Sequence, residues 1–201
     1  MLRLPVALAA AVAAALLAAP VVAAAVVHVR VEGKTVTIFG AAEPRVSATT
    51  PLDALEQASK AGEFYVHVTS SSFGNYVDQI GLYGGSGSSG WVFKVNGVSP
   101  PVGADQLQLK DGDVVEWYYA TFGPTGGPPT LVLTKVQKRC YRIVAQDDAG
   151  KTSFPNGAVL HVGTRVVKTQ GAGGAAVACL TGSHGIVWAT APNAIRSNRL
   201  P

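Results

Sequence analysis

The sequence predicts a mainly β chain: a β-grasp-like α+β module followed by a small β-sandwich. Three observations carry that prediction. Short segments alternate apolar and polar residues along the 201-residue chain, and its 23 glycines and 12 prolines punctuate them with turns. One stretch after the leader, residues 50–62, carries helix start and stop signals. Two strands precede this helix and further strands follow it, the order in which a helix packs across one face of a curved sheet.

The opening MLRLPVALAAAVAAALLAAPVVAAA places Arg3 before an unbroken apolar run ending in Ala23, Ala24 and Ala25. That is the layout of a secretory signal peptide, residues 1–25, cleaved after Ala25. A retained anchor is the alternative, because the run approaches the roughly 20 residues that span a bilayer. Strand-like residues from Val26 favour cleavage, since they leave no linker to hold a domain off a membrane. No later segment is long and apolar enough to span.

Residues 26–32 and 34–39 alternate around Gly33 and predict an opening hairpin. Thr50 can cap the helix, Pro51 suits its first position and Asp53 completes a capping-box pattern, with Leu52, Leu55 and Ala58 on one face and Gly62 as the stop. Residues 64–69 read as a strand, and residues 76–82 as a further extended piece. The loop Gly84 to Gly90 then leads into Trp91, Phe93 and Val95, where Asn96-Gly97 supplies the two positive-φ positions of a tight hairpin turn. Asp111-Gly112-Asp113 marks the next turn, before Val114, Val115, Trp117 and Tyr119. The first module is thus drawn as residues 26–122, with 123–130 as a Gly- and Pro-rich linker.

From 131 to 201, residues 131–136, 141–145, 158–162, 165–169, 175–179 and 186–190 form short apolar strands at sandwich spacing. Two cysteines in an exported chain, Cys140 and Cys179, predict one disulfide, the alternative being a pair of buried thiols. In the chain-entropy description closing that loop contributes about 4 kcal/mol. Two cysteines without a close histidine fall short of a tetrahedral metal set. Charge divides unevenly: residues 26–128 hold six Lys and Arg against ten Asp and Glu, whereas 129–201 hold nine against two. That asymmetry serves docking of the modules on each other, or attraction of the basic half to an anionic cell-wall polymer or lipid surface. The basic residues are dispersed over β segments without a nucleic-acid motif, which argues against nucleic acid.

The material for catalysis is thin. His28 and His67 sit within alternating strands, His161 and His184 are scattered from them, and adjacency of Ser183 and His184 does not define a catalytic pair. The glycine loop lacks the Lys-Ser/Thr ending and following helix of a phosphate loop, and none of Ser86, Ser88 and Ser89 has the flanking glycines of a nucleophile elbow. Asp111, Asp113 and Glu116 read as turn chemistry rather than a calcium site. The aromatic set Trp91, Phe93, Trp117, Tyr118 and Tyr119, with Tyr76 and Tyr83 upstream, is the best candidate for function. Alternation puts Trp117 and Tyr119 on one side and Tyr118 on the other.

The run GWVFKVNGVSPPVGADQLQLKDGDVVEWYY, with its glycine-rich lead-in, resembles the core of the transcobalamin-like C-terminal domain, a family of domains of unknown function related to the β-domain of transcobalamin and intrinsic factor. The likeness reaches back toward Val26. More weakly, residues 140–179 resemble carboxypeptidase-regulatory-like or immunoglobulin-like modules, in which Cys140 and Cys179 would lie at the ends of core strands and bridge them. The first resemblance implies a lid over a ligand, formed here by Tyr83, Gly84, Gly85, Ser86, Ser88, Ser89, Trp91 and Asn96. In the vitamin carriers much of the grip comes from a helical barrel, and no stretch of these residues reads as one. The expectation is therefore a secreted or cell-surface, non-enzymatic binding protein without a resident cofactor, its partner a small ligand or an envelope component. Corrinoid capture with a partner protein, and an architectural role held by the basic module, are the alternatives.

Overall fold

A computed structural model describes residues 23–201 apart from 42, 43, 73 and 125. Most of the expected leader lies outside the described residues, and Ala25 already opens the first strand. No helix of the described residues is long and apolar enough to cross a membrane.

The first module comprises β1 (Ala25–Glu32), β2 (Thr37–Phe39), β3 (Arg45–Ala48), α1 (Pro51–Gly62), β4 (Val66–Ser71), β5 (Gly74–Ile80), β6 (Tyr83–Gly84), β7 (Ser89–Val95) and β8 (Val114–Thr121). Its main sheet runs β2-β1-β8-β7, and β3 shares the outer edge of β1 with β2. The central pair β1 and β8 is parallel, with Arg30 opposite Glu116 and Val31 opposite Trp117. A smaller sheet, β4-β5-β6, lies beside it. Helix, strands and order agree with a β-grasp-like module.

The helix starts where its capping residues dictate. Thr50 Oγ1 accepts from Asp53 N at 3.2 Å, and Asp53 Oδ2 accepts from Thr49 N at 2.8 Å, so two end donors are satisfied reciprocally. Leu52, Ala54, Leu55 and Ala58 face Val27, Val29, Val31 and Trp117 across the core. Gly62 does not supply the stop; Glu63 adopts φ 52°, and its amide bonds Ser59 O to close the last turn. The short β3 was not expected from periodicity. It is reached through Gly40 at φ 85°, where a Cβ would stand 2.3 Å from Val29 O.

The second module contains β9 (Thr130–Gln137), β10 (Cys140–Gln146), β11 (Thr152–Ser153), β12 (Val159–Val162), β13 (Arg165–Lys168), β14 (Gln170–Ala172), β15 (Ala175–Cys179) and β16 (Val187–Thr190). A five-stranded sheet, β11-β10-β15-β14 with β9 on β10, faces a three-stranded sheet, β13-β12-β16. Leu131, Leu133, Tyr141 and Ile143 meet Leu160, Val187 and Ala189 in a second core. Cys140 opens β10 and Cys179 closes β15; they sit opposite in register and are disulfide-bonded. The bond therefore staples neighbouring strands of one sheet. Replacing both cysteines with alanine is expected to lower unfolding free energy by about 2–4 kcal/mol in urea titration, and reductant should mimic the variant.

Two facts join the modules. The outer face of the main sheet is polar in sequence yet buried, because the second module covers it: Arg30, Glu32, Lys94 and Glu116 are all buried there. Arg30 Nη2 pairs with Glu116 Oε1 at 2.6 Å, and Glu32 Oε2 pairs with Arg196, accepting from Nε at 3.0 Å with Nη2 2.9 Å away. Lys94 Nζ donates to Gln146 O at 3.1 Å, Asp147 O at 3.0 Å and Thr130 Oγ1 at 3.3 Å, three acceptors for the three protons of an ammonium. The second fact is the Asn96-Gly97 turn, whose Gly97, at φ 81°, lies so close to Gln146 that a Cβ would meet its side chain at 2.3 Å.

Candidate ligand-binding site

The expected glycine loop is a tight hairpin. Ser86 and Ser89 exchange backbone hydrogen bonds at 2.9 Å around Gly87 at φ 58°. The aromatic side chains tie its base down: Trp91 Nε1 donates to Tyr83 O at 2.7 Å and Tyr119 OH to Gly84 O at 3.0 Å. Tyr83 packs on Tyr119 at 6.2 Å and its hydroxyl meets Thr35 Oγ1 at 3.0 Å. Asn96 is likewise committed, donating to Asp113 Oδ1 at 2.8 Å and accepting from Val114 N at 2.9 Å. Ser89 Oγ meets Thr121 Oγ1 at 2.8 Å.

A cavity of about 340 Å³ lies instead alongside β7, and of the eight expected residues only Trp91 lines it. Its other walls include Tyr76, Phe93, Trp117, Tyr118 and Phe122, with Ser99, Pro100, Gly103, Ala104 and Asp148 completing the rim. Alternation places the aromatics as expected: Trp91, Phe93, Trp117 and Tyr119 belong to the helix-side core, while Tyr118 points to the second module. Phe93 stacks on Trp117 with centroids 5.1 Å apart, and Trp91 meets Tyr119 edge-on at 5.5 Å. Trp117 Nε1 donates to Pro51 O at 3.1 Å, which fixes the indole under the helix start. Tyr76, on β5, is half exposed and free to meet an incoming group. Sequence reasoning missed Ser99, Pro100, Gly103 and Ala104; their one signal was a Pro- and Gly-rich stretch between two strands.

Electrostatics concentrate at the Asp148 side of the rim. Asp148 Oδ1 accepts from Tyr118 OH at 3.2 Å and Ser99 Oγ at 3.3 Å and lies 3.5 Å from Lys94 Nζ. Burial pushes the Tyr118 hydroxyl far above its usual range, and the Asp148 charge adds to the effect. Burial pulls the Lys94 ammonium down, opposed by Asp148 and Glu116. It pushes the Glu32 carboxyl up, opposed by Arg30 and Arg196. Burial also raises Tyr141. In alkaline titration followed by tyrosinate absorbance, Tyr118 and Tyr141 should therefore remain protonated above the ordinary tyrosine value of about 10. Because their folded values are raised, their contribution to stability is complete below the ordinary tyrosine value and is lost as pH rises through the folded ones. Tyr118→Phe should flatten the alkaline decline.

The histidines do not converge. His67 Nδ1 pairs with Asp78 Oδ1 at 2.6 Å, whereas His161 meets Thr190 and His184 meets Tyr141 in the other module. Among the described residues, no three His, Cys, Asp or Glu side chains gather as a metal-ligand group.

Residues 48–121 match the family described as a domain of unknown function, DUF4430. No curated protein matches the chain. The match begins at Ala48, although β1 completes the same sheet, so the folded unit is longer than the matched stretch. The aromatic cavity draws nearly all its walls from within the match. The family matched over residues 48–121 is the transcobalamin-like domain family, the one its sequence resembles.

Proposed function

We propose that this is a secreted or cell-surface, non-enzymatic binding protein whose first module holds a small, largely apolar ligand in the cavity alongside β7. The carrying observation is the cavity itself: six aromatic side chains converge on it together with Leu52, Val77 and Val92, and a few polar groups join them. That is the usual composition of a ligand site. The disulfide, and the lack of a membrane-crossing helix among the described residues, are compatible with an extracellular protein.

Size narrows the ligand. At about 340 Å³ the space sits at the small end of ligand pockets, which run from roughly 300 to 1,000 Å³. It accepts a ring system or a short chain and cannot enclose a whole corrinoid, which would be held by one edge only and would need a partner protein for the rest. The architectural alternative places function in the basic module and needs no ligand.

Titration with anilinonaphthalene sulfonate tests the proposal. Saturable one-to-one fluorescence enhancement is expected, weakened about tenfold by Tyr76→Ala, an exposed position where truncation leaves the core intact. Enhancement that never saturates, or that ignores Tyr76, removes the reading. Equilibrium dialysis against cobinamide and cobalamin separates the corrinoid alternative. Release of the chain from cell walls by salt, with no dye binding, favours the architectural one.

A further inference from the structure

The cavity touches three consecutive residues of each of two strands, Asn75 to Val77 of β5 and Trp91 to Phe93 of β7. Successive side chains of a strand point to opposite faces, so a space that touches three in a row borders the strand's edge, where its backbone groups are. For β7, the alternation of an antiparallel pair identifies those groups. Phe122 N donates to Ser88 O at 2.8 Å and Asn96 N to Val114 O at 2.9 Å. In the register that pairs Gly90 with Ala120, Val92 with Tyr118 and Lys94 with Glu116, residues 90, 92 and 94 turn their N–H and C=O groups to β8. Trp91 and Phe93 turn theirs away from β8, to the side of the cavity.

Among the described residues, no strand pairs with β7 on that side. β7 ends its sheet, and β5 borders the cavity without pairing with β7. Exposed edges are ordinarily blunted by proline or by charged side chains. Here Ser89–Val95, SGWVFKV, holds no proline, and its one charge, Lys94, is buried in the module interface. At its ends the outward groups of Ser89 and Val95 are taken by Ser86 and Val98, and between them those of Trp91 and Phe93 face an apolar space.

The rim adds charge. Asp148 lies at the cavity with its side chain half exposed. Behind Gly103 and Asn75 of the wall, Asp105 takes a hydrogen bond from Asn75 Nδ2 on Oδ2 at 3.0 Å, while its buried Oδ1 has no partner. The surrounding module carries ten Asp and Glu against six Lys and Arg.

We propose that the ligand is an extended peptide segment, added to the sheet as a strand along β7. Its backbone bonds the free groups of Trp91 and Phe93, an apolar side chain fills the aromatic cavity, and a basic side chain reaches Asp148. Three residues of such a strand rise about 10 Å, matching the three-residue walls. Main-chain bonds supply affinity in this mode and the pocket supplies selectivity. The proposal rests on the reading of the cavity as a ligand site and names its occupant.

The test uses the intact wild-type chain and a labelled, acetylated peptide of alternating valine and threonine with lysine at each end. Its fully N-methylated counterpart keeps every side chain and loses the backbone donors. Fluorescence anisotropy should show saturable binding of the first peptide, at least about tenfold weakening of the second, and displacement of anilinonaphthalene sulfonate by the first. Equal binding of both peptides overturns strand addition and leaves the cavity as a side-chain pocket. Saturable dye binding that the peptide neither displaces nor rivals overturns the peptide and spares the ligand site. Failure of both probes removes both readings.

Discussion

Glu32→Ala is expected to lower the stability of the chain by about 3–5 kcal/mol. The carboxylate is fully buried, accepts from Arg196 Nε at 3.0 Å and from Thr37 Oγ1 at 3.0 and 3.1 Å, and lies 2.9 Å from Arg196 Nη2. Arg30 Nε lies 4.0 Å from its other oxygen. Removing the acid leaves the nearly buried Arg196 with only the Gly33 and Lys34 carbonyls and its counter-charge gone, so the desolvation already incurred is no longer fully offset. The pair itself need not be strongly stabilising. Replacing both partners, Glu32→Met with Arg196→Met, should recover most of the loss, since Arg30 keeps Glu116 at 2.6 Å. Urea unfolding of the two variants decides this: a double variant as unstable as the single one would show that the cost lies in packing rather than in the orphaned charge.

Trp117→Ala should cost a similar 3–5 kcal/mol, for a different reason. The indole is buried, stacks on Phe93 and donates to Pro51 O, so truncation opens a cavity beneath the helix start and removes a donor from its first carbonyl. Thermal unfolding should register the loss, and the void should merge with the neighbouring cavity. Trp117→Phe restores the stacking without the donor and should recover most of it. Tyr76→Ala, on the opposite wall, should stay within about 0.5 kcal/mol of wild type because that ring is half exposed. The contrast separates a wall that holds the fold from one that only lines the cavity.

Local chemistry made much of this legible. Thr50, Pro51 and Asp53 name a helix start because capping is settled within one turn of chain, and the start lies there. Asn96-Gly97 names a tight turn for the same reason, as both residues take positive φ. The cysteines at the ends of β10 and β15 are bonded. The site was only partly legible. Trp91 reaches the cavity, but Tyr83, Gly84 and Asn96 spend their polar groups on the fold, and the 86–89 segment closes on itself. A glycine-rich stretch looks alike in sequence whether it is a loose loop or a hairpin, because the difference lies in bonds between residues that its composition does not specify.

The sequence by itself determined the strand periods, the helix boundaries to within a residue, the turn chemistry and the aromatic content of the core, all properties of near neighbours in the chain. Tertiary structure alone decided the fate of the polar face of the main sheet. Val29-Arg30-Val31-Glu32 and Phe93-Lys94-Val95 read as half-exposed strands, yet Arg30, Glu32 and Lys94 are buried beneath the second module. Alternation says which residues share a face; it cannot say what covers that face. Here the cover supplies Arg196 and the carbonyls of residues 146 and 147, so burial is compatible with charge only because partners more than 50 residues away arrive with the opposite polarity.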